Sequence, residues 1–260
     1  MVGTRRGAPM TTVAIRVTAW SFSAILVALL VLSLLHYSPG QTGSWRVPLE
    51  DFDTVTVEAK AADVLVRPAL PNDSPHAVLV ASYGGEAPRR SIEEGVLSAR
   101  CPGGVNLFHS CRLRWELRID PRRPVVVTTR SGDVDVSGVG GPLAVETRSG
   151  DVTIGSATCP DIAVATRSGD IDVANTAQAQ VRATSRSGDI NLWLDRPPTD
   201  VVAEAHSGEI TVRVPPDGTG YATHLESESA SVTNSVRRAP SSERTIRAKT
   251  RSGDIAVTQG

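Results

Sequence analysis

Arginine and aspartate recur at a fixed distance from each other along the second half of the chain. Arg130, Arg148, Arg167 and Arg186 each open the string R-S-G-D, which Asp133, Asp151, Asp170 and Asp189 close. A further complete copy starts at Arg251. Stacked in register, the guanidiniums would form a row able to grip an anionic polymer. The carboxylates would form a row able to hold a metal cation. The competing structural reading is that the two rows neutralise each other across an exposed corner, each surface pair contributing little stability.

Catalysis has less to work with. The histidines His36, His76, His109, His206 and His224 fall in no H-E-x-x-H or comparable metal spacing. There is no G-x-S-x-G elbow, P-loop or G-x-G-x-x-G, so no catalytic residue, cofactor or metal site is expected. The Ser-Gly pairs read as corners, because no histidine recurs beside them. Acidic residues on adjacent coils of a β-solenoid can cleave polysaccharides. Such a site needs one distinctive cluster, and the aspartate row is uniform. A glycan-active enzyme is therefore the lesser alternative to a non-catalytic module. The formal net charge of −1 gives no bulk electrostatic reason to expect nucleic acid as a partner.

Cys101 and Cys111 bracket a P-G-G-containing loop. In an exported domain they could form a disulfide. The alternative is that these two and Cys159 are all reduced, with Cys159 a small core residue. Spacing alone does not decide between the two.

The elements that must carry these residues are short strands. The glycines at 132, 150, 169, 188 and 208, with Ala230 in the same place and then Gly253, are 18, 19, 19, 20, 22 and 23 residues apart. His206-Ser-Gly-Glu209 and Ser229-Ala-Ser231 are degenerate copies of the corner, and Lys60–Asp63 is an early relative. Before each corner the inward parity reads, for example, Leu143, Val145, Thr147; after it, the opposite parity reads Val152, Ile154. Side chains alternate along a strand, so a phase slip at Ser-Gly-Asp means that the chain turns there and both strands face one interior. Each repeat is strand, corner, strand, loop. The expected fold is an all-β, parallel β-helix-like solenoid of roughly 19-residue coils, spaced by about 4.8 Å. Inward Thr and Ser beside the corner are expected to form hydroxyl ladders. Residues 125–258 carry the regular repeats, 49–124 read as an irregular β segment capping them, and 38–48 read as a polar linker. The last coil, ending near Val257, is expected to present an open edge.

One segment differs from all of this. Val17–Tyr37 is apolar and lacks Asp, Glu, Lys and Arg. As a helix, its 21 residues would span about 31 Å, matching a hydrocarbon core of about 30 Å. Arg5, Arg6 and Arg16 precede it, and the first cation after it is Arg46. The positive flank places residues 1–16 in the cytoplasm and the β region outside. A cleaved signal peptide would have a shorter apolar stretch and a small-residue cleavage site. A single-pass signal anchor is therefore expected.

The sequence R-I-D-P-R-R-P-V-V-V-T-T-R-S-G-D-V-D-V, followed by further S-G-D-(V/I) corners, resembles a bacterial family of β-strand-repeat domains of unknown function. Its members are commonly labelled candidate adhesins. The resemblance covers roughly residues 45–258. It implies a β-helix-like fold and brings no catalytic residues with it. The expected role is a membrane-anchored surface module for adhesion or interaction, with a cell-wall glycan or another envelope protein as partner. The alternative is an envelope-stress scaffold signalling through a membrane partner.

Overall fold

The computed structural model describes residues 40–93, 95–102, 111–176, 180–216 and 218–260, together with Val27. The expected membrane anchor at 17–37 otherwise lies outside the described residues. No helix among the described residues is long and apolar enough to cross a membrane.

The named elements are all strands. β1 (Gln41–Pro48) is followed by a first coil of β2 (Val55–Ala59) and β3 (Asp63–Pro68). Next come β4 (His76–Tyr83), β5 (Arg89–Glu93), β6 (Val96–Arg100) and β7 (Cys111–Ile119). Five regular coils follow. They are β8 (Val125–Ser131) with β9 (Val134–Ser137), β10 (Leu143–Ser149) with β11 (Val152–Gly155), β12 (Asp161–Ser168) with β13 (Ile171–Thr176), β14 (Gln180–Ser187) with β15 (Ile190–Leu194), and β16 (Asp200–Ser207) with β17 (Ile210–Val214). The chain closes with β18 (Ala222–Ser227), β19 (Val232–Asn234), β20 (Thr245–Thr250) and β21 (Ile255–Gln259).

The phase slip at each corner sends the strands before and after it into two different sheets. Strands before the corner form a ten-stranded sheet, ordered β18-β20-β16-β14-β12-β10-β8-β2-β6-β5. Strands after it form an eleven-stranded sheet, ordered β1-β4-β7-β3-β9-β11-β13-β15-β17-β21-β19. Within the regular coils every pairing is parallel, with Leu143 opposite Val125 and Ile162 and Val152 opposite Val134 and Ile171, and the register slips only between Ala174 and Thr176 where β13 meets β15. The inward residues, among them Val145, Ile154, Val164, Val173 and Leu192, are buried in one continuous core between the sheets.

Chain order and stacking order part company at both ends. β6 and β7 stack outside β2 and β3, away from β8 and β9. At the other end β20 and β21 insert between the β16/β17 coil and the β18/β19 coil. The last coil of the chain therefore has neighbours on both sides, and the open edge belongs to β18 and β19. The side chains explain this. The last coil turns Ile246, Ala248, Ile255 and Val257 inward, all buried. The β18/β19 positions in the same register are Thr223, Leu225, Val232 and Asn234. Asn234 donates to the Thr223 hydroxyl at 3.0 Å, closing the core with a polar pair. A coil that is polar on its inner side belongs at the end of a stack.

Residues 41–48, expected within a linker, form β1 instead, paired antiparallel with β4 from Gln41–Tyr83 to Pro48–His76. Two features hold it. Trp45 packs on the Tyr83 ring, with the Arg90 guanidinium 4.6 Å above the indole. Val47 is buried, and Arg46 donates to Asp73 at 2.9 Å. Cys101, directly after β6, and Cys111, the first residue of β7, are joined by a disulfide with a Cα–Cα distance of 6.0 Å.

The expected hydroxyl ladder takes another form. Three inward hydroxyls donate to the glycine carbonyl of the neighbouring corner: Ser185 to Gly169 at 3.4 Å, Thr250 to Gly208 at 3.2 Å and Ser227 to Gly253 at 3.0 Å. Thr129 donates instead to the Ser131 carbonyl at 3.1 Å, and the buried hydroxyls of Thr147 and Thr166 have no partner among the described residues. Thr250→Val removes the partner of a corner carbonyl and is expected to cost about 1–2 kcal/mol. Tyr221→Phe provides the contrast. The Tyr221 hydroxyl is buried without a hydrogen-bond partner, and burial pushes its pKa up to about 12. Removing it should leave stability unchanged or raise it, because no bond is lost and a buried polar group is. Urea unfolding of the two variants checks both signs.

Candidate functional site

Each regular corner presents three backbone N–H groups to its neighbours. The glycine N–H donates to the serine carbonyl of the next coil, as Gly150 does to Ser168 at 3.1 Å. The residue after Asp does likewise, as Val152 does to the Asp170 carbonyl at 2.9 Å. The remaining N–H is that of Asp itself, and the carboxylate of the preceding coil receives it. Asp151 N–H donates to Asp133 Oδ1 at 3.0 Å, Asp170 to Asp151 at 2.9 Å, and Asp189 to Asp170 at 2.8 Å. The chain of bonds begins at Asp63 and reaches Glu209, whose N–H donates to Asp189 at 2.8 Å. At the far end the Ser231 hydroxyl and N–H both donate to Asp254, holding its carboxyl below the usual range. That exposed contact contributes above the ordinary carboxylate pKa and fades as pH falls through the lowered one.

This corrects the expectation that the Arg and Asp rows neutralise each other. The Asp row bonds backbone. Among the described residues no ion pair joins Arg130, Arg148, Arg167 or Arg186 to any carboxylate, and these side chains make no hydrogen bond. They point outward from the ten-stranded sheet, on the opposite parity to the buried Thr129, Thr147, Thr166 and Ser185.

The four arginines lie side by side on successive strands. Thr147 pairs with Thr166 and Ser149 with Ser168, which sets Arg148 beside Arg167, and the same register links Arg130 and Arg186 into the row. Non-motif residues extend it. Lys60 follows Ala59, the partner of both Thr129 and Ala99, and so lies between Arg130 and Arg100. Arg89 pairs with Arg100. In the other direction Arg186 is followed by His206 and then by Arg251, whose guanidinium lies 3.4 Å from the imidazole. The row has nine members across nine adjacent strands, with Lys60 and Arg251 one residue past the ends of β2 and β20. At about 4.8 Å per strand it runs roughly 38 Å. It borders a trough of about 1030 Å3 on the outer face of the sheet.

The floor of that trough is a second row, two residues further from the corner. It reads Ser98, Glu58, Thr128, Glu146, Ala165, Thr184 and Glu204 across successive strands. Among the described residues no Trp, Tyr or Phe lines the trough. Sequence reasoning found the motif arginines but missed Lys60, Arg100, Arg89 and the floor. The signal was present in the strand parity, but aligning it required the stacking order.

Among the described residues no group of three or more His, Cys, Asp or Glu is placed to hold a metal ion. Cys159 is buried, with its thiol pushed up to about 11 by burial, against a backbone hydrogen bond that acts the other way. It is protonated at neutral pH and shielded from reagents.

The chain is similar to a described family and, in fold, to a solved structure. The family model described as Toastrack DUF4097 matches residues 121–258. A crystal structure of a candidate adhesin from Bacteroides fragilis superposes with a TM-score of 0.53 at 15% identity, covering 85% of this chain and 97% of that one. A candidate adhesin from Parabacteroides distasonis gives 0.48 at 10% identity, over 85% and 98%. A candidate lipid-binding protein from the same species gives 0.36 at 12%, over 86% and 96%. No curated protein matches the sequence.

Proposed function

This chain belongs to the Toastrack DUF4097 family, and from that premise we propose that it is a membrane-anchored, non-catalytic interaction module displayed on the outer side of a bacterial membrane. Segment 17–37 is the single-pass anchor, residues 1–16 are cytoplasmic, and the two-sheet solenoid faces outward. The observation that carries this reading is the trough itself. A scaffold of in-register parallel strands holds a row of basic side chains, four of them without a partner among the described residues, on an open face. Rigid presentation of unpaired charge is what recognition requires. The adhesin label on the Bacteroides fragilis structure fits the same role. The partner is an envelope component, glycan or protein.

Full-length protein with a C-terminal epitope, expressed in intact cells, tests this. Protease added outside should remove the epitope. After quenching and denaturation a maleimide reagent should label Cys159 alone, with Cys101 and Cys111 labelled only after reduction. A protected epitope, with all three thiols labelled on denaturation, would place the chain in the cytoplasm and sink the proposal.

A further inference from the structure

The trough has a pattern more specific than positive charge, and it points to a class of ligand. We infer that it binds a linear acidic glycan, lying along the cation row with its hydroxyls on the floor. The inference rests on the surface location proposed above.

Shape is the first constraint on the ligand. Eight Lys and Arg side chains and His206 are in single file across nine adjacent strands, roughly 38 Å from end to end. A small anion would touch two of them and leave the rest unused. A chain of anions repeating about every strand step engages the row as a unit, releasing counterions at each contact.

The floor then discriminates among polyanions. Glu58, Glu146 and Glu204 are interspersed with Thr128, Ala165 and Thr184 under the row. Carboxylates facing the ligand repel a polymer that is anionic throughout. They accept hydrogen bonds from one that carries several hydroxyls per charge. A glycan with one carboxylate or sulfate per sugar unit meets both requirements: its acid on the arginines, its hydroxyls on Glu and Thr. Single-stranded nucleic acid fits less well, because its binders stack bases on aromatic side chains. None of the described aromatic residues lines the trough, and the exposed Trp193 lies on β15 in the other sheet.

The test uses the full-length chain in detergent and three immobilised probes: sodium polygalacturonate, its methyl-esterified neutral form, and polyphosphate. Polygalacturonate should be retained, its affinity falling log-linearly with salt, and the ester should not be. The variant Arg148→Gln/Arg167→Gln/Arg186→Gln should weaken retention roughly tenfold or more and make the salt slope shallower. Arg118→Gln, an exposed cation on β7 in the other sheet, should change nothing. Near-ultraviolet circular dichroism of both variants shows that they are folded. No retention of polygalacturonate at low salt overturns the inference, as does equal retention by the triple variant, or polyphosphate retained in its place. These failures would leave the surface location standing. Glycan binding by a chain whose epitope is protected in intact cells would instead sink the location.

Discussion

Gly169→Ala is expected to destabilise the solenoid by about 3 kcal/mol or more, lowering the melting temperature by roughly 6–12 °C. Two costs add. The Gly169 φ of 148° lies in a region that side chains with a β-carbon avoid, worth about 1–3 kcal/mol. A β-carbon there would also overlap the carbonyl oxygen of Gly150, which is backbone in the coil below and cannot swing aside. The overlap has no cheap release, because Gly150 is itself held against Gly132, and Gly188 rests on Gly169. The column runs from Gly132 to Gly253 and meets alanine at either end, Ala62 below and Ala230 at the edge coil. Gly155→Ala is the control. Its φ is not positive, and a β-carbon there meets nothing within 4 Å. It should leave stability unchanged or improve it slightly. Equal melting shifts for the two variants would mean that the corner glycines are not what closes the coil.

The glycine column was legible in the sequence because its cause is local. A parity slip of one residue at Ser-Gly-Asp, repeated around Val145/Val152 and Val164/Ile171, forces a turn at each copy. The aspartate was legible as a position but not as a role. Its partner is the N–H of the equivalent Asp one coil away, a contact set by how closely the glycines stack. Charge alternation in the motif suggested an Arg–Asp pairing because sequence displays neighbours along the chain, and the relevant neighbours lie across it. The same blindness hid Lys60 and Arg100 from the basic row. It also made residues 41–48 look like a linker, since a strand added antiparallel to β4 carries no corner motif.

Stacking order was the least legible feature, and it sets up the second large effect. Deleting residues 245–260 should abolish the β18/β19 coil as well as the one removed. The spacing of 22 and then 23 residues between corners is as compatible with sequential stacking as with the observed exchange. In the structure, β18 and β19 make their parallel pairs only with β20 and β21. Moving the edge coil into the vacated place would set Thr223 and Asn234 where Ile246 and Val257 are buried. Burial of each Ile or Val contributes about 1.5–3 kcal/mol, and a polar replacement adds a desolvation cost. The edge coil therefore cannot substitute. Residues 218–244 in the shortened chain should exchange their amide hydrogens freely and be trimmed by protease. A longer deletion of 218–260 should then have the same stability as the shorter one, with β8 to β15 protected in both. Retained protection at Leu225 and Val232 after loss of 245–260 would show that the edge coil can dock on β16 and β17 unaided. The polar pair between Asn234 and Thr223 would then not be what fixes its place at the end of the stack.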